Sequence, residues 1–112
     1  MTLLIGTLWL VAGTGIALVG VAGARERLPR QHWAGIRLPS TMKSDDAWIA
    51  AHKAGASWLV AGGVVPAFGG LLLLLARPSD EVSAALSLAA AAWLLALVCI
   101  AGVIGARAAR RV

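Results

Sequence analysis

The chain has 112 residues, of which 60% are hydrophobic, and carries a net charge of +5. A soluble domain of this length buries only part of its surface and could not hide so much carbon, so lipid must cover the remainder. The basic residues flank apolar runs and form no stripe with a nucleic-acid fold signature, so they read as topology signals and lipid headgroup contacts, and no nucleic acid is expected as a partner.

Residues 3–22 contain no charge and are long enough to cross a hydrocarbon core of about 30 Å. The small residues Ala22, Gly23 and Ala24 would suit a signal-peptide cleavage site. However, no basic residue precedes the run, and Arg25, Arg27 and Arg30 follow it at once. A retained first span is the reading. Gly13 and Ala17 lie four apart, a spacing that lets another helix approach closely.

Residues 25–55 form the one long polar segment, and it holds both histidines, His32 and His52. Pro29 and Pro39 restrict the residues before them to extended backbone. A short turn or helix is expected over 31–37, with Trp33 at the membrane interface. Ser44, Asp45 and Asp46 then read as a helix start, with Ser44 as cap and the acids in the positively polarised first turn.

A helix from Asp45 to Ala76 would be about 48 Å long at 1.5 Å per residue, against a core of about 30 Å. Its first turns, to about Gly55, should therefore project from the bilayer or lie along it. The spanning part is expected over 56–76, interrupted by Gly62, Gly63, Pro66, Gly69 and Gly70. Trp48, His52 and Gly55 share a face by helical spacing. The expectation is that Trp48 and His52 form one wall of a small pocket, with His32 and Trp33 as the other wall.

Pro78 ends the second span, and Ser79 or Asp80 can cap the next helix. The third span is expected over 82–105, with Ala101, Gly105 and Ala109 as a small-residue stripe, followed by a basic tail. The fold class is thus all-α, a single membrane domain over 1–112 with three transmembrane helices, the second extended into the cytoplasm or interface. Arg25, Arg27, Arg30, Arg37, Lys43 and Lys53 lie in the first loop, Arg107, Arg110 and Arg111 in the tail, and only Arg77 in the second loop. The positive-inside rule puts the N-terminus outside and the first loop and C-terminus in the cytoplasm.

The lone cysteine, Cys99, sits in an apolar run and reads as a small buried hydrophobe. No Cys/His metal set is present, and His32 and His52 with Asp45 and Asp46 form no compact ligand motif. No nucleophile elbow, zinc-protease helix or phosphate-cradling glycine loop occurs, so neither catalysis nor a cofactor is expected. Arg37 stands between Gly35-Ile36 and Leu38-Pro39. Its guanidinium fork could fold back onto helix carbonyls, Asp45 or Asp46, reach a lipid phosphate, or simply be solvated.

The segment LPRQHWAGIRLPSTMKSDDAWIAAHKAG resembles the signature of the SdpI family of small bacterial membrane proteins. In that family a polar Gly-Ile-Arg-x-Pro loop follows a span, and a Trp-x-x-x-(His or Asn)-(Lys or Arg) stretch opens the next one. The matching residues are Gly35, Ile36, Arg37, Pro39, Trp48, His52 and Lys53. The resemblance implies a bacterial inner-membrane location and a role in peptide-toxin immunity or membrane signalling, because the best-known member does both. The partner would then be a peptide, another membrane protein or a cytoplasmic regulator. This chain departs from that member in being shorter, with fewer spans, and Gln31 stands where many relatives have Asn. The alternative is a small accessory subunit of a larger membrane complex, and three spans with small-residue stripes suit an oligomer. A small transporter ranks last, because the spans offer only Thr7, Thr14, Ser57, Ser83 and Ser87 as polar groups.

Overall fold

A computed structural model describes residues 1–31 and 33–112. The described residues form four helices in chain order and no strand: α1 (Thr2–Ala24), α2 (Pro39–Met42), α3 (Asp45–Ala76) and α4 (Asp80–Arg110). Three of them are long and apolar enough to cross a membrane, so the protein is an all-α, multi-pass membrane protein. The molecule is 49 Å long, well beyond a hydrocarbon core of about 30 Å, so helix ends stand outside it.

α3 is central, with α1 along one side and α4 along the other. Glycine sets the first contact. Gly6 lies opposite Gly70, Gly13 opposite Gly63 and Gly20 opposite Ala56, every seventh residue on two antiparallel helices. A Cβ on Gly13 would meet the Gly63 carbonyl and stand 2.5 Å from the Ala67 amide nitrogen. Gly63 in turn sits against Gly13 and Ala17. Lipid tails are as apolar as leucine, so this backbone proximity, with its van der Waals contact, is what joins helices in a bilayer.

The second contact repeats every fourth residue. Ala47 packs with Ala109, Ala51 with Gly105, and Gly55 with Ala101. α1 and α4 run parallel and meet at one end. There the Thr2 and Ser83 hydroxyls are 3.0 Å apart, and Trp9 Nε1–H donates to Ser87 Oγ at 3.0 Å.

Helix boundaries follow local chemistry. Ser44 Oγ accepts from the Ala47 amide, and Ser79 Oγ accepts from the Val82 amide. α3 ends at Arg77, which adopts φ 46° and donates its amide to the Leu73 carbonyl. Pro66 lies within α3 without ending it, leaving the Gly62 carbonyl without its usual amide donor. α4 runs to Arg110, further than the 82–105 expected from hydropathy, because Arg107 and Arg110 suit the negative end of a helix. Cys99 is exposed on α4, on the side that faces the cleft between α1 and α4.

Candidate functional site

The polar segment folds as a cap on the ends of the three long helices, and Ile36 is its centre. The Ile36 amide donates to His52 Nε2 at 2.8 Å, and the Ile36 carbonyl accepts from the Thr41 hydroxyl at 2.6 Å. Its side chain is buried beside Gly55 of α3 and Gly105 of α4, and packs with Leu59 and Ala101. Both backbone groups and the side chain are thus satisfied inside the protein.

Gly35 makes this approach possible. Its φ of 94° is in the left-handed region that favours glycine. A Cβ there would stand 2.5 Å from His52 Nε2 and 3.1 Å from the Trp48 ring. His52 is 1% exposed and Trp48 lies buried beside it, their ring centroids 4.1 Å apart. Trp48 Nε1–H donates to the Leu28 carbonyl at 2.8 Å, tying down the entry to the loop.

The tautomer of His52 follows from its partners. An amide only donates and a carbonyl only accepts, so Nε2 is the acceptor and Nδ1–H donates to the Trp48 carbonyl at 2.8 Å. Burial holds the imidazole below the usual histidine range, opposed in part by the bond to the Trp48 carbonyl. His52 lies in the first turns of α3, beside the charged Asp45, Asp46 and Lys53 and ahead of the 56–76 expected to span the membrane.

A four-residue helix, α2, closes the loop. Pro39 occupies its first position, where a missing amide costs nothing. Thr41 is fully buried, and its hydroxyl also accepts from the Leu38 amide at 2.9 Å. Over 31–37, where a short turn or helix is expected, the described residues bend at 33–35 and form no helix. Thr41 was not picked out from sequence. Proline at a helix start with threonine two residues later was the available signal.

The aromatic pocket expected of Trp48 and His52 is not open. Gly35 and Ile36 cover both rings, and Trp33 stands away from them at 83% exposure. His32, expected beside Trp33, lies outside the described residues. Gln31 Oε1 is buried with no hydrogen-bond partner among the described residues.

Arg37 does not reach the acids. Asp45 pairs with Arg30 at 3.3 Å, and Arg30 also donates to the Met42 carbonyl. Arg37 is exposed and has no hydrogen bond or ion pair among the described residues. Lys53 is exposed and pairs with Glu26 at 3.4 Å, a solvated contact of small energetic weight. Among the described residues no cluster of three His, Cys, Asp or Glu could hold a metal ion.

Beneath the loop a cleft of about 520 Å³ opens between α1 and α4. Ile16 and Val19 form one wall, Val98, Cys99 and Gly102 the other, and Leu59 the floor. Trp33 and Arg37 stand at its roof.

The arrangement of Gly35, Ile36, Trp48 and His52 gives a physical reason for a Gly-Ile-Arg loop to precede a Trp-x-x-x-His helix. The model of the SdpI/YfhL protein family matches residues 27–107, nearly the whole cap and both following spans. The chain belongs to this family. No curated protein and no solved structure matches it. The SdpI-family signature therefore divides in two. Gly35, Ile36, Trp48 and His52 build the cap from within, and Pro39 starts α2, whereas Arg37 and Lys53 face outward.

Proposed function

We propose that this SdpI-family membrane protein binds a peptide or protein partner through the outer surface of its cap, in toxin immunity or membrane signalling. One observation carries the reading: the loop's own folding uses Gly35, Ile36, Thr41, Trp48 and His52, yet leaves Trp33 and Arg37 outward and unpaired among the described residues. Tryptophan and arginine are among the residues enriched at hot spots of protein recognition, and Trp33 and Arg37 stand on the same edge of the cap. The positive-inside rule supports an orientation in a bacterial inner membrane with the basic loop and tail on the cytoplasmic side and the N-terminus outside.

Survival of peptide-sensitive cells tests this. Cells expressing the protein should survive the family's secreted peptide toxin, and Trp33→Ala or Arg37→Ala should abolish protection at unchanged abundance and Tm. Full protection by both variants would overturn the reading. The second reading, an accessory subunit, is favoured by Gly15 and Gly69, around which a Cβ would meet nothing within 4 Å. These leave room for a further helix. A large membrane protein recovered at equal stoichiometry in mild detergent would support it.

A further inference from the structure

We propose that the cleft between α1 and α4 is a binding site for one anionic phospholipid, with an acyl chain in the cleft and the phosphate on Arg37.

The shape comes first. α1 and α4 are held together at one end by the Thr2–Ser83 and Trp9–Ser87 contacts. Towards the other end the loop enters between them, and Ile36 wedges against α3 and α4. The result is a groove closed at one end and open sideways to lipid. Its volume of about 520 Å³ is within the range of small-molecule sites, about 300–1,000 Å³.

The chemistry of the walls comes next. Ile16, Val19, Leu59, Val98 and the Gly102 backbone form an apolar channel. At its roof Arg37 is the one charged lining residue among the described residues. It has no intramolecular partner among the described residues, so its fork is available to a phosphate. Trp33 beside it has the amphipathic ring that favours the headgroup level. An apolar channel ending at a free guanidinium complements an anionic amphiphile. The zwitterionic lipid phosphatidylethanolamine carries its own ammonium, which competes for the same phosphate. The site shares Trp33 and Arg37 with the partner surface proposed above, and lipid retention and Cys99 labelling report the lipid alone, whereas survival of peptide-sensitive cells reports the partner.

Cys99 lines the cleft and is the sole cysteine, so it reports occupancy in the native chain. The purified protein in detergent is labelled with an apolar maleimide while phosphatidylglycerol, phosphatidylethanolamine or inorganic phosphate is added. Phosphatidylglycerol should slow labelling, at a concentration about fivefold lower than phosphatidylethanolamine requires. Inorganic phosphate should leave the rate unchanged. Arg37→Gln should erase the difference between the two lipids. Gly102→Leu should remove protection by both, since a Cβ at Gly102 meets nothing within 4 Å and the larger side chain can extend into the cleft.

Native mass spectrometry gives an independent reading, with retained phosphatidylglycerol in the wild type and little in either variant. Equal protection by the two lipids in the wild type would overturn the proposal. So would unchanged lipid retention in an Arg37→Gln and Gly102→Leu pair whose thermal melts match the wild type.

Discussion

The Ile36 amide donates to His52 Nε2 across 2.8 Å between the two nitrogens, so the cap is latched by a histidine that must remain neutral. Protonating Nε2 would replace an acceptor with a donor facing a donor. Around the ring stand Gly23, Gly35, Ile36 and Trp48, which offer carbon and backbone. The folded-state pKa is lowered, so the charged form is disfavoured by folding. Above the unfolded value of about 6.5 the ring is neutral in both states and its contribution is fully present. As the pH falls below that value and through the lowered folded one, the unfolded chain takes the proton more readily and the contribution is lost. Thermal melts in detergent should show Tm decreasing from pH 7 to 5. His52→Ala should flatten this dependence and cost about 1–3 kcal/mol at pH 7.5, by leaving the Ile36 amide buried and unpaired. A wild-type Tm independent of pH over this window would contradict the latch.

Gly35→Ala should unlatch the same contact by another route. The left-handed φ costs a non-glycine residue about 1–2 kcal/mol, and the new methyl would press on His52 and Trp48. A loss of about 2–3 kcal/mol is expected, with faster trypsin cleavage after Arg30 and Arg37 while the spans stay resistant. Wild-type protease resistance in this variant would show that the loop does not depend on the close approach at Gly35.

The three spans were legible because length and hydropathy alone decide what crosses a bilayer. The extent of α3 from Asp45 to Ala76 was legible from its cap and apolar run, and Ser44 and Ser79 from capping chemistry. The inside of the cap was not. Spacing placed Trp48 and His52 on one face of α3, but nothing local says whether that face is open or covered. The cover is Gly35-Ile36, and its path depends on Thr41, on Gly55 and Gly105 from two other helices, and on the Leu28 carbonyl. The same limit applies to Arg37. Its neighbours suggested an ordered backbone but left open carbonyls, the acids, a lipid phosphate or solvent as its surroundings, and Asp45 pairs instead with Arg30.

Close packing of α1 on α3 gives a graded test. Gly13→Ala and Gly63→Ala each place a methyl against the facing helix backbone, which has no rotamer with which to yield. Each should cost about 1–3 kcal/mol, read as loss of Tm in detergent. Gly69→Ala lies on the same α3 with open space around it and should change stability by less than about 0.5 kcal/mol. Equal effects at Gly13 and Gly69 would exclude the glycine-mediated contact.

Arg37 and Trp48 should separate cleanly. Trp48→Phe keeps the ring against His52 but leaves the Leu28 carbonyl without its donor, at a cost of about 1 kcal/mol. Arg37→Ala touches no contact among the described residues and should change stability by less than about 0.5 kcal/mol. Thermal melts of both proteins decide it. An Arg37→Ala loss as large as that of Trp48→Phe would give the guanidinium a structural role.

The orientation proposed from charge can be read with single cysteines in a Cys99→Ser background. Ser79 is exposed in the short connection between α3 and α4, whereas Ser40 lies in α2 within the cap. Three spans put these positions on opposite sides of the membrane. The cap side carries Arg25, Arg27, Arg30, Arg37 and Lys43, and α4 brings Arg107 and Arg110 to the same end, where Lys43 Nζ donates to a Val112 backbone oxygen. Basic residues so close to the ends of spans are held on the cytoplasmic side during insertion. A membrane-impermeant maleimide applied to intact cells should therefore label Ser79→Cys and spare Ser40→Cys until the membrane is opened. The reverse pattern would place the cap outside the cell, where a cytoplasmic regulator could not reach Trp33 and Arg37.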